Sequence, residues 1–114
     1  MYKRQNLYVA ERDNHVIRKI VISTGAVTTI AGSAGSYGST NGTGTSARFY
    51  YPRAITTDGT SLYVADQNNH TIRKIVISTG SVTTIAGYAG SYGSTDGTGT
   101  VSYTHLTLPT TPYV

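Results

Sequence analysis

The chain has 114 residues, 38% of them hydrophobic and only 12% charged, with 13 glycines, 10 tyrosines and a formal net charge of +4. That length allows one domain, which buries about two-thirds of the surface its unfolded chain exposes. With no cysteine there is neither a disulfide framework nor a thiolate metal site, and no apolar run reaches the roughly 20 residues of a membrane helix.

Residues 1–6, MYKRQN, have no counterpart elsewhere in the chain. At Leu7 a string begins, LYVAERDNHVIRKIVISTGAVTTIAG, which returns at Leu62 as LYVADQNNHTIRKIVISTGSVTTIAG, an offset of 55 residues. Pairing residues 7–45 with 62–100 leaves 32 of 39 pairs identical. A period of this length marks one supersecondary unit per repeat, stacked on its neighbours. After Thr100 the match stops in one step, at VSYTHLTLPTTPYV, where divergence would have eroded it gradually. MYKRQ and SYTHLTLPTT resemble translated sequencing-adapter ends, so 1–6 and 101–114 are expected to be foreign. Without Lys3 and Arg4 the balance is 7 basic against 5 acidic residues, or +2. That disfavours nucleic acid as a partner.

The complete unit, 53–100, reads as four short strands between turn residues. Strand A is Arg53 to Asp58, led in by Pro52, and Asp58-Gly59 is a hairpin turn. Strand B is Ser61 to Asp66, apolar on both faces and therefore covered on both. Strand C is His70 to Ile77 and strand D is Val82 to Ala86. The first unit, 7–52, has B (Leu7 to Ala10), C (His15 to Ile22) and D (Val27 to Ala31) without strand A. The expected fold is all-β, with two antiparallel four-stranded meanders of propeller-blade type, the first lacking its strand A.

VAERDNHVIRKI and VADQNNHTIRKI, each followed by TGxVTTIAG, together with ARFYYP, AITTDG and LYVAD, resemble NHL repeats over residues 7–100. The eponymous triplet stands as Asn14-His15-Val16 and Asn69-His70-Thr71, departing from the family pattern at its third position. The resemblance implies a six-bladed β-propeller, of which this chain is about a third. It also implies an extracellular or periplasmic setting and a non-catalytic scaffold that binds protein or glycan, with no cofactor. The alternative it carries is a fragment of a six-bladed lyase or lactonase-like hydrolase whose catalytic residues lie in other blades.

Candidate functional residues follow from the loops. His15 and His70 occupy one equivalent position and could begin a metal site. Their setting argues instead for turn chemistry, with Asp66, Asn68 and Asn69 expected to bond backbone N–H groups between strands B and C. Arg18-Lys19 and Arg73-Lys74 are expected to place the arginine against Asp66 or a neighbouring blade and the lysine outward. The loop 32–45, GSAGSYGSTNGTGT, and its copy at 87–100 lack the helix a phosphate cradle needs. These loops share an end of the meander with the histidine turns. The expected binding face therefore carries Tyr37, Tyr88, Tyr92, Asn68, Asn69, His15 and His70. Two uncovered blade faces are expected to drive self-association, and three copies would supply six blades.

Overall fold

The computed structural model describes residues 6–87. β1 (Asn6–Glu11), β2 (Val16–Val21) and β3 (Ala26–Gly32) form one antiparallel sheet in chain order. β5 (Pro52–Thr57), β6 (Ser61–Asp66), β7 (Thr71–Val76) and β8 (Ser81–Gly87) form the second. A two-residue β4 (Gly42–Thr43) joins this second sheet beside β8, so it has five strands where four were expected. The expected foreign ends, apart from Asn6, lie outside the described residues, as does the loop copy with Tyr88 and Tyr92. Asn6 itself opens β1 opposite Val21, just as Ser61 opens β6 opposite Val76.

The strands run where β-branched and aromatic residues alternate, and they stop where the turn chemistry is strongest. Between β5 and β6 the Asp58 carboxylate accepts the N–H groups of Thr60 and Ser61 at 2.9 and 2.8 Å, while Gly59 takes φ +94°. Those N–H donors hold the Asp58 carboxyl below the ordinary carboxylate value of 3.8. Asp58 also accepts the Tyr63 hydroxyl at 3.1 Å, which raises the phenol in turn.

Strand period decides which face of each sheet is buried. In the second sheet Leu62 faces Ile75 and Val64 faces Arg73 across the ladder, all on one side. Leu62, Val64, Ile75 and Val82 meet Ile17 and Ala31 of the first sheet in one cluster. Ala47 and Phe49, from the segment that connects the sheets, complete it. The two sheets are therefore consecutive layers, and the connecting segment is part of the core.

That segment, whose residues 32–45 were expected to form a loop of the binding face, is a strap across the second sheet. Gly44 N–H donates to Gly80 O at 2.9 Å, Arg48 N–H to Thr40 O at 2.9 Å and Gly38 N–H to Phe49 O at 3.0 Å. Its carbonyls converge on Arg73, which is fully buried. One terminal nitrogen of Arg73 donates to Asp66 Oδ2 at 2.9 Å and to Arg48 O at 2.8 Å. The other donates to Thr40 O at 3.0 Å and Asn41 Oδ1 at 2.9 Å, and the guanidinium lies 5.0 Å from the Phe49 ring centroid. Burial pushes the Asp66 carboxyl above its ordinary value, opposed by donors from Tyr50 N–H, Asn69 and Arg73. Such a pair costs desolvation to bury, but removing one member strands the other.

Arg73→Met is expected to destabilise the fold by about 3–5 kcal/mol, read from urea unfolding midpoints. Arg73→Lys should recover only part of this, because an ammonium cannot span four acceptors fixed for a planar fork. A loss under about 1 kcal/mol for Arg73→Met, the size of an exposed pair, would overturn this account of the core. Asp58 supplies a second test. Its folded-state value is depressed, so its contribution is complete above the unfolded value and is lost as pH falls through the folded one. An NMR titration should place the Asp58 carboxyl midpoint below 3.8.

Candidate binding face

Both B–C connections are single 3-10 turns, Arg12–Asn14 and Gln67–Asn69, each closed by a histidine in the left-handed region. His15 has φ +61° and His70 φ +58°, so strand C begins one residue later than expected in both units. A positive φ is uncommon outside glycine, and histidine is among the residue types enriched there. The close approach of β3 to this turn explains Gly32. A Cβ there would lie 2.5 Å from the His15 carbonyl oxygen, and the residue sits at φ +86°. Only glycine fits such a position.

The acidic and amide residues of the second turn act differently from the expectation. Asp66 Oδ1 accepts the N–H of Tyr50, 16 residues upstream, at 2.8 Å rather than a donor of its own turn. Asn69 serves as a donor, to Asp66 Oδ2 at 2.6 Å and to Gly38 O at 2.7 Å. Asn69 is consequently buried, whereas Asn68 is exposed and contributes its backbone N–H to Tyr50 O at 3.0 Å.

His15 is also buried, under three tyrosines. Its Nδ1 accepts the Tyr51 N–H at 3.0 Å, which leaves the ring proton on Nε2. Its ring centroid lies 5.6, 5.9 and 4.7 Å from those of Tyr37, Tyr50 and Tyr51. The tyrosines stack on one another. Tyr37 lies 4.2 Å from Tyr50 at 16° between planes, Tyr50 lies 5.4 Å from Tyr51 at 27°, and the Arg12 guanidinium sits 4.8 Å from Tyr51. Each aromatic pair contributes about 0.5–1.5 kcal/mol beyond its buried area. The outermost ring, Tyr37, is 61% exposed.

Tyr50, Tyr51 and Arg12 were not singled out from the sequence. Tyr51 precedes Pro52, a position biased toward extended backbone, yet it adopts φ +55°. Such a conformation costs on the order of 1–3 kcal/mol and persists where its surroundings over-determine it. Here the His15 ring holds the Tyr51 N–H, and Gln67 N–H donates to Tyr51 O at 3.3 Å. The seam between the units is thus built from the first unit's histidine and the second unit's 3-10 turn. Among the described residues, no three His, Cys, Asp or Glu side chains come together where a metal could bind, and no helix is long and apolar enough to cross a membrane.

No family model matches the chain. It is 34% identical over 97 residues to NHL repeat-containing protein 2 of Homo sapiens, covering 83% of this chain and 13% of that one. The two units are NHL repeats. The bovine counterpart gives 33% over the same length, so the chain spans about an eighth of the relatives it matches. A Bacteroides thetaiotaomicron protein of unknown function superposes at a TM-score of 0.77 with 25% identity, over 87% of this chain and 25% of that one. An auxiliary nutrient binding protein of the same species gives 0.60 and 26%, over 72% and 23%. The NHL units therefore form part of a β-propeller, and β5–β8 and β1–β3 are adjacent blades.

Replacing His15 with Ala leaves the Tyr51 N–H without an acceptor, at about 1–3 kcal/mol, and unpins the stack. His15→Asn should lose less, because asparagine tolerates the left-handed region and offers an acceptor. Thermal unfolding of the two variants checks the order, and a reversed order would contradict the role given to this ring.

Proposed function

We propose that the chain is a non-catalytic binding scaffold of NHL-propeller type, recognising a glycan or protein through the loops that carry the tyrosine stack. The observation that carries the reading is Tyr37, an exposed aromatic ring at the end of a stack fixed from below by His15. A flat ring held in one orientation binds without losing much side-chain entropy, and it presents an apolar face beside small polar groups. The neighbouring residues are Ser36, Gly38 and Ser39, which add hydrogen-bonding groups and no charge. That composition suits the alternating C–H faces and hydroxyls of a sugar better than the charged surface of a nucleic acid. The likeness to an auxiliary nutrient binding protein supports the same direction.

Within this reading Tyr37 makes the contact and Asn68 lies on the neighbouring turn. His15 and Asn69 act from beneath as positioning residues, and His70 closes the equivalent turn of the second unit. A glycan array probed with the full chain, followed by titration of its strongest hit, tests the proposal. With no Trp and 10 Tyr, intrinsic fluorescence reports tyrosine directly. Tyr37→Ala is expected to weaken binding at least about tenfold, or 1.4 kcal/mol, with an unchanged circular dichroism spectrum. An array hit that binds the variant as well as the parent would remove Tyr37 from the site.

A further inference from the structure

The two units match almost residue for residue, and three of their seven differences are consecutive. These are Glu11/Asp66, Arg12/Gln67 and Asp13/Asn68, at the end of strand B and in the 3-10 turn that follows it. Arg12, Asp13, Gln67 and Asn68 are all exposed. An ion pair on the first turn thus stands where the second turn carries two amides. Both turns touch the tyrosine row, whose order is Tyr37, Tyr50, Tyr51, with the Arg12 guanidinium 4.8 Å from the last ring. Gly35 N–H donates to Asn14 O at 3.0 Å, which fastens the loop bearing Tyr37 to the first turn. Gln67 and Asn68 of the second turn donate their N–H groups to Tyr51 O and Tyr50 O at 3.3 and 3.0 Å. The row is therefore bordered by the turns of both units, and Tyr50 and Tyr51 remain partly exposed between them.

The fold does not account for the ion pair. Arg12 donates to Asp13 Oδ1 at 3.0 Å with the two side chains 54% and 84% exposed, and a pair so exposed contributes about 0–1 kcal/mol. The second unit closes the same turn with amides. What the pair does supply is open hydrogen-bonding capacity beside an aromatic ring. A guanidinium has five N–H donors in a rigid plane and a carboxylate about four acceptor sites, so the single bond between them leaves most of both unused. Two adjacent sugar hydroxyls offer the complementary set, because each O–H both donates and accepts. An anionic sugar does not, since a carboxylate drawn to Arg12 would meet the like charge of Asp13 on the same guanidinium.

We infer that the tyrosine row and the Arg12–Asp13 pair form one site for a neutral oligosaccharide, which covers the Tyr37 ring, runs along Tyr50 and Tyr51, and places two adjacent hydroxyls at Arg12 and Asp13. The inference rests on the reading of this face as a glycan platform, and it adds the class of sugar and two specificity-determining residues. The amides of Gln67 and Asn68 border the row with neutral donors and acceptors, which suits the same uncharged ligand.

The full chain is titrated calorimetrically with cellotetraose, mannotetraose, xylotetraose and tetragalacturonate. At least one of the neutral sugars is expected to bind about tenfold or more tightly than tetragalacturonate. The double variant Arg12→Gln/Asp13→Asn copies the amides of the second turn, so it should keep the parent's circular dichroism spectrum while binding that neutral sugar about tenfold more weakly. Asp13→Asn alone removes the like charge, so it should weaken the neutral sugar and strengthen tetragalacturonate, a change of preference that a merely structural role would not produce. A parent chain that prefers tetragalacturonate would overturn the inference and leave the glycan platform standing. So would neutral-sugar binding that Tyr37→Ala abolishes and the double variant leaves intact. If none of the four sugars binds, the inference falls, and the array result alone decides the platform.

Discussion

The arrangement depends on one buried cation. Arg73 sits in the middle of strand C, between two layers of apolar side chains, where an isolated guanidinium would be prohibitively costly. It is tolerated because five residues converge on it: Asp66 from the adjacent strand, and Thr40, Asn41 and Arg48 with the Phe49 ring from the strap. The strap contains glycines and small polar residues that have little intrinsic reason to adopt one shape. Arg73 supplies that reason. It draws carbonyls from residues 40 and 48 to a single point, which places Ala47 and Phe49 in the core and aims Tyr50 and Tyr51 at the first unit.

The tyrosine stack is thus a consequence of the core rather than an addition to it. Asp66 links the two directly, since one carboxylate oxygen accepts from Arg73 and Asn69 and the other from the Tyr50 N–H. The left-handed conformation of Tyr51 is held from both sides, by His15 of the first unit and the Gln67 turn of the second. A face assembled this way belongs to the junction of two blades, so neither blade presents it alone. That is the setting in which a rigid aromatic surface can be offered to a ligand at little entropic cost.

Most of the strand pattern was legible in the residues because period and turn chemistry agree there. Ser61 to Asp66 was placed with its observed bounds, and the other strands differ by a residue or two. The histidines fell one position outside their strands because a left-handed closing residue is read from backbone geometry, for which histidine carries only a weak signature. The strap was expected as a loop of the binding face, because its glycine, serine and threonine residues look alike whether their carbonyls face water or a guanidinium. Two apolar cues were available, Ala47 and Phe49 in SARFYYP, but their partners lie in both units and are not adjacent in sequence. Asn69 was assigned to the surface for a similar reason: its buried role requires Gly38, 31 residues away. The doublet Tyr50-Tyr51 was overlooked because its significance arises only when His15, from the other unit, is beneath it.

The comparison of the two units separates what a repeat encodes from what its neighbours supply. Arg18 and Arg73 lie in the same hexapeptide neighbourhood, IRKIVI, yet Arg18 is half-buried with Thr29 Oγ1 as acceptor and Glu11 3.8 Å away, whereas the terminal nitrogens of Arg73 meet four acceptors. Local sequence therefore sets the strand and the direction of the side chain, while three of the four acceptors of Arg73 come from the strap. In an array of such units each blade is completed by the one before it, and stability follows nearest-neighbour contacts. A unit without that neighbour keeps its hydrogen-bonded sheet and loses the dry environment of its arginine. Leu62, Val64 and Val82 are buried where Leu7, Val9 and Val27 are exposed, so the dry face of a blade comes from outside its own sheet.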